Sequence, residues 1–367
     1  MFTALIFIAV IGVLVVVHEF GHFITAKKAG MKVEEFGFGF PPRLWGIKKG
    51  ETTYSINLIP FGGFVKIFGE EGEHRNAPRS FSSKSIGVRL KVVIAGVVMN
   101  FLLAVFLLMV GNYFGIRVGI GDETGGAAAL ARENKVQIIN VVSDSPAEKA
   151  GLKIFDEIAG FSIKELSGKD SLIPVLTAKE VREYVADNAG EEIKIVVKRN
   201  SETLTKVINL PDRSIGEKGL LGIVPARTGI LSYPWHESVW RGVSDSVFLT
   251  AQTAVGYYQL FKTLLLHGKL IADVSGPIGI ANVTGQAAGV GFRFLLQFVA
   301  LISVNLAILN VMPFPALDGG RALMLIVEKI KGSPVNAKVE TLINSFGFAF
   351  LILLMVYATI NDISRFF

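Results

Sequence analysis

The chain has 367 residues, of which 51% are apolar, and a mean hydropathy of +0.50, values that exclude an ordinary soluble protein. It contains no cysteine, which excludes a disulfide-stapled secreted domain and any thiolate metal site. The formal net charge of +6 comes with no nucleic-acid motif, so the Lys and Arg are assigned to membrane boundaries and no nucleic-acid partner is expected.

The first predicted element is a helix over residues 2–28. Residues 1–17 carry no charge, and Thr3 is their one polar side chain. Seventeen helical residues cover roughly 25 Å, most of the apolar thickness of a bilayer. The run lacks the basic start of a signal peptide and is followed by a poor cleavage site, so it reads as a retained membrane helix. At its end, His18-Glu19-Phe20-Gly21-His22 reads H-E-x-x-H. Residues four apart share a helix face, so two imidazoles can meet one metal ion. Glu19 is then placed to take a proton from an attacking water, the chemistry of a zinc peptidase. The pattern is short, and two His near a helix end also occur as interfacial residues without a ligand role. Two of the chain's five His fall in this motif, which weighs toward a metal. Ionisable groups at membrane depth are costly and functional by default. His74, His236 and His267 lie in polar or boundary segments and are assigned no chemistry.

Residues 31–91 are basic, whereas the extreme N-terminus has no Lys or Arg. The positive-inside rule puts the N-terminus outside and this region in the cytoplasm. Val33–Phe40 and Thr53–Pro60, continuing to Lys66, are predicted strands. They form either a small cytoplasmic hairpin or a sheet dipping into the membrane beside the metal. In the second case a free edge near Gly37–Phe40 or Asn57–Val65 would hold a substrate as an added strand. A second span, about 90–114, returns the chain outside, and its polar Asn100 is assigned an interhelical hydrogen bond rather than catalysis. Residues 115–135 read as a Gly-rich linker. Residues 136–226 read as a small α+β module, with a capped short helix at 145–152, a helix over Ala178–Asn188 and a hairpin of 192–199 with 203–210.

Residues 227–291 read as a connector. Within it 235–266 is an amphipathic helix, interrupted by Gln252, Gln259 and Lys262 and lying on the outer leaflet rather than crossing. Residues 275–281 are a turn-rich lead-in to a third span at 292–311, which carries Ser303, Asn305 and Asn310. Pro313 and Pro315 break that helix. Irregular backbone at membrane depth is tolerated only inside protein or facing water, so the break marks a site. Asp318, just beyond it, reads as the third ligand of a two-His, one-carboxylate zinc centre with one open position. Its alternative is the N-cap of a helix over Gly319–Lys331. The unmet need of H-E-x-x-H for a further carboxylate favours the ligand. A fourth span at 342–360 leaves both termini outside. The expected fold is therefore a polytopic α-helical membrane protein with four transmembrane helices, a membrane-associated β-element and one inserted extracytoplasmic α+β domain.

The H-E-F-G-H motif, together with Asn310-Val311-Met312-Pro313-Phe314-Pro315-Ala316-Leu317-Asp318-Gly319 (N-x-x-P-x-P-x-L-D-G), resembles the site-2 protease family of intramembrane zinc metalloproteases. The likeness covers nearly the whole chain. Gly37-Phe38-Gly39 resembles the family's Gly-rich β-element, Asn57–Val65 the strand that follows it, and 136–226 a PDZ domain with the signature Ser145-Pro146-Ala147…Ala150-Gly151-Leu152. The usual Pro-Gly-Asp after that signature is here Ile154-Phe155-Asp156, and there is room for one PDZ domain where enterobacterial relatives carry two. The resemblance implies that His18, His22 and Asp318 bind Zn2+ and that Glu19 is the catalytic base. It also implies that Asn305 and Asn310 hold substrate backbone or an oxyanion. The implied setting is a bacterial inner membrane, in contact with lipid, with the PDZ domain and both termini extracytoplasmic. The implied substrates are single-pass membrane proteins already cut on the outer side, such as an anti-sigma factor, or signal-peptide remnants. A metal transporter would show internal repeats or ionisable residues in several spans, and the sequence shows neither; a receptor or scaffold with a peptide-binding module but no catalysis would not need Glu19 between two His. A peptidase of soluble chains at the membrane surface is the other rival, separated by the depth of the site.

Overall fold

The first helix, α1 (Phe2–Lys28), ends where the chain turns through a left-handed Gly30. Met31 N–H donates to Ala26 O and Gly30 N–H to Lys27 O, the paired bonds that close a helix on a C-terminal glycine. The protein is described from a computed structural model that covers residues 2–70, 74, 76–121, 131–164, 170–199, 202–212, 220–268 and 276–366. It divides into two units: Met1–Val110 with His236–Ala288 and Leu295–Phe367, and Gly111–Trp235 with Gly289–Phe294.

In the first unit two long strands follow, β1 (Val33–Lys49) and β2 (Thr52–Ile67). Their register folds the ribbon back on itself. Phe36–Phe38 pairs with Gly63–Val65 on one side and with Tyr54–Ile56 on the other, while Trp45–Lys49 pairs with Thr52–Ile56. Gly37 and Phe38 are therefore interior, and the edge expected near Gly37–Phe40 is occupied. Gly63–Ile67 has no second strand partner among the described residues. Phe23 of α1 packs its ring against Phe36 and Tyr54, at centroid distances of 5.3 and 6.0 Å. The next helix, α2 (Ile86–Phe114), crosses α1 at very short range. A Cβ at Gly21 would stand 2.4 Å from Ala95 O. Ala26, Met31, Val33, Ile67, Val92 and Val93 form the apolar floor under this crossing.

The second unit is built on a seven-stranded sheet. Its elements are β3 (Ile116–Gly119), β4 (Arg132–Val141), a short helix α3 (Pro146–Lys149), β5 (Glu157–Lys164), β6 (Asp170–Pro174), α4 (Ala178–Asp187), β7 (Glu192–Arg199), β8 (Glu202–Asn209) and β9 (Ile223–Leu231). The strand order is β3-β9-β4-β5-β7-β8, with β6 paired to β5. The stretch expected as a linker thus opens with a strand, paired from Ile116↔Leu231 to Gly119↔Thr228, while residues 122–130 lie outside the described residues. Ser145 and Thr177 cap α3 and α4, each accepting from the N–H three residues on at 3.2 Å. Ile138, Ile158, Phe161, Val181, Ile195 and Val197 lie in the core. At the Ile154-Phe155-Asp156 departure, Phe155 takes the left-handed φ of 75° that a glycine would take freely. Asp156 is buried and accepts from Lys153 N–H at 2.9 Å and from Arg199 at 2.7 Å.

The first unit resumes with α5 (Trp235–His267), α6 (Pro277–Val290), α7 (Phe292–Val311), α8 (Asp318–Lys331) and α9 (Ala337–Phe366). The turn-rich lead-in is in fact a helix from Pro277 onward. Asp362 of α9 supplies the cap its own sequence lacks, accepting from Gly276 N–H at 3.1 Å and Gly279 N–H at 2.7 Å. Among the described residues four helices are long and apolar enough to cross a membrane: α1, α2, α7 and Lys338–Ser364 within α9. The side chains of α1, α2 and α7 interlock through Val10, Leu14, Leu107, Val299 and Val304. Two ion pairs hold α8, Arg321 to Glu70 at 2.6 Å and Glu328 to Arg89 at 2.5 Å.

Candidate metal centre

His18 and His22, one turn apart on α1, bring their Nε2 atoms to 3.2 Å. Asp318 Oδ2 stands 3.1 Å from the first and 3.3 Å from the second. Two residues near one end of the chain and one near the other thus form a nearly equilateral triangle, with side-chain exposures of 11%, 12% and 24%. Asp318 does not cap a helix. It is the first residue of α8, and the cap position belongs to Leu317, which makes no side-chain cap bond. Its Oδ2 is buried without a hydrogen-bond partner among the described residues.

These atoms fit a metal ion. His22 donates from Nδ1 to Val92 O at 2.8 Å, which turns its Nε2 lone pair toward the triangle. A tetrahedral zinc with bonds of about 2.0–2.1 Å sets its ligand atoms about 3.3 Å apart, close to the edges seen here. Two imidazoles and one carboxylate, with no sulfur, suit zinc and leave a fourth position open.

The chain beyond α7 is shaped to deliver Asp318. Ala316 is left-handed at φ 71°, and its N–H donates to Asn344 Oδ1 at 3.3 Å. A Cβ at Gly319 would stand 2.1 Å from Met312 O, and one at Gly320 2.2 Å from Phe314 O, so the Gly pair lets α8 start against its own lead-in loop. A cavity of about 440 Å³ opens beside Asp318, lined by Arg321, Thr341, Asn344, Ser345 and Phe348. Glu19 follows His18 directly, and a Cβ at Gly63 would come within 3.1 Å of its Cγ. The bare backbone of β2 therefore passes right beside Glu19.

Asn305 and Asn310 are not part of the triangle. Asn305 donates to Leu301 O at 2.8 Å and accepts from the Tyr257 hydroxyl at 3.0 Å. Asn310 is half-buried and makes no side-chain hydrogen bond among the described residues. The expected interhelical bond of Asn100 is present: it lies 3.2 Å from Nδ1 of His18, and Ser303 Oγ donates to its backbone O at 2.7 Å. Gly96 escaped the sequence reading. A Cβ there would stand 2.4 Å from His22 Nε2 and 2.7 Å from His18 Nε2. The available signal was a glycine four residues before Asn100, the polar residue in the middle of an apolar helix.

The model of peptidase family M50 matches residues 6–354. A protein of Clostridium acetobutylicum, named by inference as a zinc metalloprotease, is 38% identical over 99% of this chain and 97% of its own length. The regulator of sigma E protease of Haemophilus influenzae is 31% identical, covering 98% of each chain, and the zinc metalloprotease RasP of Shouchella clausii is 31% identical over 100% and 99%. The apolar helices and these relatives mark an integral membrane protein. The chain belongs to peptidase family M50 and is a zinc-dependent protease of the site-2 type.

Proposed function

We propose that this chain hydrolyses a peptide bond in or near the transmembrane segment of single-pass membrane proteins, with His18, His22 and Asp318 holding zinc and Glu19 as the base. The observation that carries it is the triangle of ligand atoms, 3.1–3.3 Å on a side, standing on an apolar helix with a carboxylate next to it. Zinc, when bound, supplies Lewis acidity to the scissile carbonyl and to water. Glu19 takes the proton of the attacking water and passes it to the leaving amine. A helical peptide bond is shielded by its own hydrogen bonds, so the substrate must be held extended. The side of Gly63–Lys66 without a second strand partner, beside Glu19, suits an added strand. Asn305 and Asn310 would hold the substrate backbone, Asn305 by exchanging its bond with Tyr257.

The sheet unit is read as one extracytoplasmic PDZ domain that selects substrates. In support, the alignment with the Haemophilus protein takes 452 positions for a chain of 367 residues, so that relative carries segments absent here. Its name also favours a substrate of the anti-sigma type, cut first on the outer side, and signal-peptide remnants share the same chemistry. The inner membrane of a bacterium is the setting.

The test is Glu19→Gln, in detergent, against a single-pass substrate truncated on its outer side. Zinc content should stay at one per chain while cleavage falls by about 10²–10⁴-fold. Wild-type turnover by this variant would remove Glu19 from the mechanism. Equal cleavage of soluble unfolded chains by the wild type would favour a peptidase of the membrane surface.

A further inference from the structure

α2 stands behind both histidines. Val92, Gly96 and Asn100 recur every four residues on one of its faces. Val92 O takes the Nδ1 hydrogen of His22, Gly96 leaves room for the two Nε2 atoms, and Asn100 reaches Nδ1 of His18. Ligation through Nε2 requires an imidazole to carry its hydrogen on Nδ1, where it needs an acceptor. His22 has one in Val92 O. For His18 the only atoms at hand among the described residues are those of the Asn100 amide, 1% exposed in the membrane helix.

The amide nitrogen Nδ2 is the nearer atom, at 3.2 Å, while Oδ1 is buried with no hydrogen-bond partner. With His18 as a ligand this sets a donor against a donor and leaves an acceptor idle. A half-turn of the amide exchanges the two atoms without changing its shape. It places Oδ1 on the Nδ1 hydrogen and leaves the NH2 as the unpaired end. That is the cheaper outcome, since the other arrangement blocks coordination.

We propose that Asn100 is a positioning residue that accepts through Oδ1 from Nδ1–H of His18, fixing the tautomer and ring orientation in which His18 binds the metal. The Ser303 hydroxyl, bonded to Asn100 O, ties this turn of α2 to α7. One helix thus orients both imidazoles, by a carbonyl for one and a side-chain amide for the other. The proposal rests on the reading of His18 as a zinc ligand.

The experiment is zinc affinity by chelator competition on the purified full chain, for wild type, Asn100→Leu, Asn100→Asp and His18→Ala. Asn100→Leu keeps the branched four-atom outline and loses the acceptor, and should bind zinc about 10–100-fold more weakly. Asn100→Asp offers only acceptor oxygens and should hold zinc within a few-fold of wild type. Undiminished affinity in Asn100→Leu, or a loss in Asn100→Asp as large as in Asn100→Leu, overturns the proposal. His18→Ala separates the two layers: wild-type affinity there would sink the ligand assignment itself, whereas its loss beside an unaffected Asn100→Leu sinks the role of Asn100 alone. A second readout needs no folded variant. In nitrogen-15 spectra of the metal-free wild type, neutral His18 should carry its hydrogen on Nδ1, and finding it on Nε2 would overturn the proposal.

Discussion

A methyl group on Gly96 would occupy the space between α2 and the Nε2 atoms of His22 and His18, 2.4 Å from the first and 2.7 Å from the second. Gly96→Ala should therefore fold, since alanine is the better helix former by about 1 kcal/mol, yet fail to hold metal. Zinc content should fall well below one per chain, with cleavage down at least about 10²-fold, the scale of loss for a displaced catalytic constellation. Gly87, in the first turn of the same helix, is the matched control, because a methyl group there would meet no atom of the described residues within 4 Å beyond its own turn of helix. Gly87→Ala should keep its zinc and its activity. A Gly96→Ala protein with full zinc would show that the helices part easily and that the close crossing is not required. His18, Glu19 and His22 are legible in the sequence because their relation is local, one helical turn. Gly96 and Asn100 matter only through the register of α2 on α1, more than seventy residues away, which no local pattern carries. Asp318 lies between these cases: prolines and a carboxylate mark it, but only the fold turns its Oδ2 onto the imidazoles.

The elements with strong periodicity or complete local signals are those the sequence predicts well, as with α1, α7, α4 and the β7–β8 hairpin. Those completed by distant partners are not. Pro277 and its glycines read as a turn because the cap of α6 is Asp362, 86 residues later. The folded-back register of β1 and β2 is likewise a long-range property. α8 shows what such distant contacts do for the site. It carries Asp318 at its start and is anchored by Arg89–Glu328, with side-chain exposures of 11% and 16%, and by Arg321–Glu70. Removing one partner of a pair buried this far leaves a lone charge in a poorly solvated place, at a cost of about 3–5 kcal/mol. Glu328→Leu and Arg89→Leu should each lower the thermal midpoint in detergent and loosen zinc. The double substitution should recover more than half of either loss, because two apolar side chains replace the pair without stranding a charge. Strictly additive losses in the double-mutant cycle would mean that the two groups do not act as a pair.

The juxtaposition of His18, His22 and Asp318 constrains the direction of the helices. His18 and His22 lie near the C-terminal end of α1, and Asp318 follows the C-terminal end of α7, yet the three ligand atoms meet within 3.3 Å. α1 and α7 must therefore enter the membrane from the same side. One crossing by α2 satisfies this and a further crossing by α5 would reverse α7, so α5 is expected to lie on or beside the membrane despite a length of roughly 50 Å. α6, at roughly 21 Å, is too short to span. With the basic residues 31–91 expected inside, Glu202 is expected outside and the α8–α9 turn inside. The absence of native cysteine makes this directly measurable. Exposed positions Lys48, Glu202 and Lys331 would each be changed to Cys and challenged with a membrane-impermeant maleimide on intact spheroplasts. Glu202→Cys should be labelled at once, and Lys48→Cys and Lys331→Cys only after permeabilisation. Labelling of Lys331→Cys from outside, with Lys48→Cys protected, would require α5 to cross. It would also leave α1 and α7 antiparallel, with Asp318 at the opposite membrane face from His18, and would dissolve the zinc site on which the assigned chemistry stands.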